Sequence, residues 1–114
     1  PPMKLVTAVI QPTKVDDVKD ALEAAGFTGL TITEVEGHGH QKGLTEYYRG
    51  QAVKVSFRAK TRVEVLVADE TLDKALEVVV EAARTGNVGD GKVWVTDVSH
   101  VIRVRTGESG PAAV

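Results

Sequence analysis

The chain contains no cysteine. That removes disulfide staples, thiolate metal ligands and a cysteine nucleophile together, and it suits a reducing compartment, so the cytoplasm is the expected location. No apolar run approaches the ~20 residues a membrane-spanning helix needs, and the N-terminus lacks the basic-then-apolar form of a secretion signal. Aromatic residues are few: one tryptophan, two tyrosines and two phenylalanines. Phe27, Phe57, Trp94 and the adjacent Tyr47 and Tyr48 supply no strand-borne stacking pair of the kind RNA-binding sheets use, which disfavours that class. Charge of one sign is lacking too. A net charge of −2 builds no field for nucleic acid or anionic membranes, so any electrostatic effect is local. No nucleophile–base–orienter set and no pair of acids flanking a cleft stands out, so nothing demands catalysis and no catalytic residue is named.

What is present is sized for one domain with one core: 114 residues, 42% hydrophobic and 26% charged. Pro1 and Pro2 read as an expression remnant ahead of a native Met3. Residues 4–10 are β-branched and apolar, a buried strand that Pro12 closes. Thr13 is placed to cap a helix over 13–25, with Asp16 three residues on, Val15, Val18, Leu22 and Ala25 at helical spacing, and Gly26 just past the end. Strand returns over 30–37. Residues 39–58 show no clear period and hold Lys42, Arg49, Lys54 and Arg58 against Glu46; so long a polar stretch in a small domain is usually functional or disordered. Residues 61–68 alternate as a strand, Asp69 is placed to cap a second helix over 70–84, and a strand follows over 92–96. Residues 99–105 read as a short strand and 106–114 as a polar tail. Strand, helix, strand, repeated once, is the split βαβ arrangement called ferredoxin-like: an α+β fold, two helices on one face of a four-stranded antiparallel sheet. The opposite face is not uniformly polar, so a homo-oligomer is expected to cover it.

Between the second helix and the last strand stands Arg84-Thr85-Gly86-Asn87-Val88-Gly89-Asp90-Gly91-Lys92. Its glycines permit φ > 0 and can turn successive N–H groups inward as an anion nest, with Lys92 adding a point charge. The order G-x-x-x-x-G-K-[ST] is absent, and helix-to-strand polarity is the reverse of a P-loop. Read alone, Gly-Asp-Gly-Lys is equally a tight turn. Arg103 and Arg105, at i and i+2 of a strand, are spaced to grip a polyphosphate from one side, or to form the solvent face of an edge strand. Trp94 is a core or interface anchor. His38, His40 and His100 lack a Cys or carboxylate nearby in sequence to complete a tetrahedral metal site.

The motifs Gly37-His38-Gly39-His40-Gln41-Lys42-Gly43, Thr45-Glu46 with Tyr48-Arg49-Gly50, Arg84-Thr85-Gly86 with Gly89-Asp90-Gly91-Lys92-Val93, and Val101-Ile102-Arg103-Val104-Arg105-Thr106-Gly107-Glu108 stand in order. Together they make the chain resemble the PII signal-transduction proteins, trimeric nitrogen regulators that sense ATP, ADP and 2-oxoglutarate. The resemblance covers 3–108. It implies a T-loop at 39–58 that docks partners, a B-loop at 84–92 and a C-loop at 104–114, all in one domain over 1–114. It implies nucleotide contacts from Gly37, Gly39, His40, Gly89, Asp90, Gly91 and Lys92, with Arg103 and Arg105 reaching the phosphates from a neighbouring subunit. It further implies a 2-oxoglutarate site from Gln41, Lys42, Gly43, Lys60 and Gly89, with Gln41 helping to hold the magnesium that bridges ATP and the oxoacid. The implied partners are an ammonium channel, which would recruit the protein to the membrane without insertion, or a nitrogen-metabolism enzyme or regulator.

The chain also departs from that pattern. Val53 stands where the family often has a nucleotidylated tyrosine and Gln51 where some members have a phosphorylated serine, so no modification site is expected. His40 replaces a usual arginine beside the triphosphate, and Gln11 a usual basic residue beside the oxoacid. A hydrogen bond to a charged group is worth roughly 1.5–3 kcal/mol, so the loss of a cation at Gln11 is expected to weaken the oxoacid by about one to two orders of magnitude. The alternative is a PII-like adenine-nucleotide sensor responding to another metabolite such as bicarbonate.

Overall fold

The structure is a computed structural model, and it describes residues 2–37, 45–48, 51–54 and 58–114. Its element order is β1 (Met3–Ile10), α1 (Val15–Ala24), β2 (Thr31–Gly37), β3 (Thr45–Tyr48), β4 (Gln51–Lys54), β5 (Arg58–Ala68), α2 (Leu72–Ala83) and β6 (Gly91–Val98). Four strands form one sheet in the order β2-β5-β1-β6, and every neighbouring pair is antiparallel. β5 lies between β1 and β2, and β1 lies between β5 and β6, so each βαβ unit is split by a strand of the other. This is the expected ferredoxin-like α+β fold.

Alternation along the central strands decides which face is covered. Val6, Ala8 and Ile10 of β1 and Val63, Val65 and Val67 of β5 are buried against Val18 and Leu22 of α1, Ala75, Val79 and Ala83 of α2, and Phe27. Leu22 and Val18 are fully buried, each worth roughly 1.5–3 kcal/mol of burial. The other face carries Leu5, Thr7, Val9, Arg62, Glu64, Leu66 and Trp94. On it the Thr7 hydroxyl donates to Glu64 at 2.9 Å. Trp94 is 45% exposed there, which removes the core reading and leaves the interface one.

Both expected N-caps are corrected. Neither helix start carries a side-chain cap, and each opens through a short 3-10 turn, Pro12–Lys14 and Asp69–Thr71. Pro12 has no N–H and a fixed φ, so the turn starts there, ahead of Thr13. At the second start the Asp69 carboxylate is drawn to the Lys4 ammonium at 3.3 Å, an ammonium that also meets Asp97 at 3.1 Å. The Thr71 hydroxyl bonds back to the Ala68 carbonyl at 3.0 Å.

Two further expectations change. Within the stretch read as aperiodic, β3 and β4 pair as an antiparallel hairpin with Tyr47 opposite Ala52 and Glu46 opposite Val53. Residues 99–105 are not a strand: Ile102 makes one isolated bridge to Ser109, and residues 104–106 form a turn. Gly107 and Gly110 at positive φ fold the chain back, and the expected polar tail ends in a 3-10 turn, Gly110–Ala113.

Candidate functional site: the glycine loop at one end of the sheet

The antiparallel register gathers four segments at one end of the sheet. Ile10, the last residue of β1, pairs with Thr61 on one side and Gly91 on the other, and Gly37 closes β2 opposite Arg58. Gln11, Gly37, Lys60 and the loop 84–92 therefore meet there. Of the residues expected at the site, Gly39, His40, Gln41, Lys42 and Gly43 lie outside the described residues, as does His38.

The loop has the expected backbone. Gly86, Gly89 and Gly91 take φ of +88°, +99° and +103°, a region that L side chains rarely enter. Gly91 answers to packing as well, because a Cβ there would lie 1.8 Å from the Val9 carbonyl oxygen of β1. Asp90, expected as a ligand contact, staples the loop. Its Oδ2 accepts from the backbone N–H groups of Thr85 at 2.8 Å and Gly86 at 2.9 Å, and its Oδ1 from the Thr85 hydroxyl. The Thr85 oxygen in turn accepts from the Asn87 N–H at 3.2 Å.

The Thr85 hydroxyl, then the Thr85 and Gly86 amides, hold the Asp90 carboxyl below the usual aspartate range. Because the folded value is the lower one, the staple is at full strength above the ordinary carboxylate pKa and is lost as pH falls through the depressed value. In an acid titration followed by NMR, the Thr85 and Gly86 amide shifts should move with a midpoint below about 3.9. A midpoint at or above that value would contradict the staple. Asp90→Asn should abolish the step.

Beneath the loop two side chains share one acceptor. The Gln11 amide nitrogen donates to the Gly89 carbonyl at 2.6 Å, and the Lys60 ammonium donates to the same oxygen. Lys60 is buried, at 8% exposure. A groove of about 300 Å³ lined by Val80, Ala83, Arg84, Asp90, Gly91, Lys92 and Val93 runs along the loop. A second, of about 470 Å³, lies beside Lys60 and is lined by Pro12, Glu34, Val35, Glu36, Ala59 and Thr61. Among the described residues no group of three His, Cys, Asp or Glu is placed to hold a metal ion.

The two arginines are elsewhere. β6 starts at the loop and runs past β1 to pair Val98 with Met3, which at about 3.3 Å per residue carries the chain roughly 23 Å away. His100 and Val101 then line a groove with Leu5, Gly29, Thr31 and Leu66 at the far end of the outer face. Arg103 is held in the tail: its N–H donates to the Glu108 carbonyl at 2.8 Å, its guanidinium lies 3.6 Å from the Glu108 carboxylate and donates to the Ala112 carbonyl at 3.4 Å. The structure does not bring Arg103 and Arg105 to the loop of the same chain, and their expected strand alternation is replaced by the turn at 104–106. Sequence reading missed the Gln11–Gly89 bond, since the two are far apart in the chain and only the β1–β6 register makes them neighbours.

Fold and loop define a ferredoxin-like domain with a glycine-built, anion-compatible loop at the α2–β6 junction. A family model described as nitrogen regulatory protein P-II matches residues 3–108. The chain is 49% identical to nitrogen regulatory protein P-II 2 of Methanothermobacter thermautotrophicus, covering 98% of this chain and 97% of that one. It is 48% identical to nitrogen regulatory protein P-II 1 of Escherichia coli K12, covering 98% and 100%. Among solved structures, the crystal structure of Arabidopsis thaliana PII bound to citrate superposes with a TM-score of 0.79 at 35% identity, covering 98% of this chain and 92% of that one. The chain belongs to the PII family of nitrogen regulatory proteins, signalling regulators that bind adenine nucleotides and act on partner proteins. No helix among the described residues is long and apolar enough to cross a membrane.

Proposed function

We propose that this protein senses ATP and ADP in a cleft between subunits of a homotrimer and transmits occupancy to partners through residues 39–58. The observation that carries the reading is the loop 84–92: three positive-φ glycines shape it, its own carboxylate is spent inside it, and Lys92 stands at its exit. The Thr85, Gly86 and Asn87 amides are taken inside the loop, so the donors this reading assigns to phosphate are the amides of 88–90 and the Lys92 cation. The distance of Arg103 and Arg105 from their own loop supports a shared site, each subunit lending its tail to a neighbour. The exposed Trp94 and the apolar Leu5 and Leu66 on the outer face supply the surface such a trimer would cover.

Magnesium is expected to arrive with the phosphates of ATP, because the Asp90 oxygens accept from Thr85 and Gly86 and no group of three His, Cys, Asp or Glu among the described residues is placed to hold a metal. Gln41 is its expected protein contact. Gly37, Gly39, His40 and Gly89 complete the nucleotide site, and Lys42, Gly43, Lys60 and Gly89 with Gln41 form the 2-oxoglutarate site. The protein acts in the cytoplasm on an ammonium channel or a nitrogen-metabolism enzyme, with DNA, RNA and membrane insertion excluded from the reading. The alternative, an adenylate sensor for another metabolite such as bicarbonate, is favoured by one observation: Gln11 spends a neutral amide on Gly89 where the oxoacid reading asks for a cation.

Light scattering with calorimetry tests this. Three chains per particle and saturable ATP–Mg binding are expected, with 2-oxoglutarate raising ATP affinity by the factor ATP raises its own. A monomer that binds ATP tightly would refute the shared site, and ATP binding untouched by 2-oxoglutarate would select the alternative.

A further inference from the structure

The Gly89 carbonyl is doubly occupied, by a buried ammonium on β5 and by an amide at the end of β1. A carbonyl oxygen has two lone pairs, so these donors fill it and fix the plane of the Gly89–Asp90 peptide. That peptide is trans, and in a trans unit the N–H points opposite to the C=O. With the carbonyl turned down toward the sheet end, the Asp90 N–H is turned up toward the open side of the loop. The same residue's carboxylate pulls the Thr85 and Gly86 amides together, so a rotation of this one peptide would disturb both halves of the loop.

We infer that Gln11 is a positioning residue: with Lys60 it latches the Gly89 carbonyl and presets the 84–92 loop, backbone donor outward, for an anionic phosphate. Lys60 is also the expected partner of an acid ligand's carboxylate, an inference that rests on the function proposed above. An ammonium drawn toward a carboxylate shares its protons and relaxes its hold on Gly89. Gln11 is neutral and has no such competing attraction, so it keeps the peptide oriented when Lys60 is engaged. Its role differs from that of a cation in the same place, which would be drawn to the ligand itself. The orientation of the Gly89–Asp90 peptide is thereby kept when the Lys60 groove is occupied.

The test compares the parent with Gln11→Ala, Gln11→Glu and Gln11→Lys. Gln11→Glu keeps the size but replaces the donor with an acceptor, while Gln11→Lys restores a donor. In ligand-free protein, the Gly89 carbonyl-carbon shift should move upfield, and Thr85 and Gly86 amide exchange should accelerate, in the Ala and Glu variants but not in the Lys variant. ATP–Mg affinity should fall about three- to tenfold in the first two, the loss of one ordinary hydrogen bond, and recover in the third. An unchanged Gly89 shift in Gln11→Ala overturns the latch. A changed shift with unchanged ATP affinity overturns the presetting. A parent that binds no ATP–Mg sinks the functional reading instead, and the ligand-free shift then still decides whether the latch exists.

Discussion

Gly91→Ala should destabilise the fold by roughly 3–5 kcal/mol, among the largest effects a single methyl group can have. Two causes add. The new Cβ would lie 1.8 Å from the Val9 carbonyl oxygen and 2.9 Å from its carbon, both backbone atoms of the central strand β1, and φ of +103° is strained for any L side chain. A backbone neighbour cannot swing aside as the end of a lysine can, so β1 and β6 must separate where the loop joins the sheet. For a domain of this size the melting temperature should fall by at least about 10 °C. Gly86→Ala is the control, since Gly86 has φ of +88° but nothing within 4 Å of its Cβ position. It should lose only the backbone strain, roughly 1–2 kcal/mol. Thermal unfolding by circular dichroism separates the two: equal losses would show that steric approach to Val9 is not what demands glycine at 91.

Lys92→Ala and Arg103→Ala should each weaken ATP–Mg by roughly 1.5–3 kcal/mol, the worth of one charge-assisted bond to phosphate. Both side chains sit outside the hydrophobic core, so the fold should stay native. Arg103 must leave Glu108 to reach a phosphate, but that pair is partly exposed at 3.6 Å, and such pairs contribute little. If the site is shared, the two defects lie on different chains of one cleft. Mixing Lys92→Ala and Arg103→Ala subunits should then restore some intact sites, whereas defects confined to one chain would never complement.

Where the argument rested on local chemistry, the sequence was a sound guide. Alternation of Val63, Val65 and Val67, the helical spacing of Val18 and Leu22, and the two strand–helix–strand units led to the sheet and its helices. The glycines of 84–92 were read correctly as positive-φ positions because φ > 0 is a property of the residue itself. Failures came where a distant partner decided. Asp69 is a good cap by type, but the Lys4 ammonium across the sheet end takes its carboxylate. The staple from Asp90 to Thr85 and Gly86 is local, yet it too shows only once the loop is folded. Arg103 and Arg105 alternate like strand residues, yet Gly107 and Gly110 turn the chain before a second strand can pair. Gln11 marks a missing cation in the sequence, and only the pairing of Ile10 with Gly91 makes it a partner of Gly89.

The central claim is that the 84–92 loop holds phosphate, and isothermal calorimetry of ATP–Mg against the parent and Lys92→Ala tests it most directly. Saturable binding by the parent is expected, weakened about ten- to a hundredfold or more in Lys92→Ala, with circular dichroism unchanged. Equal affinities in the two proteins, or no heat of binding in a folded parent, would mean that the glycines build a turn and nothing more.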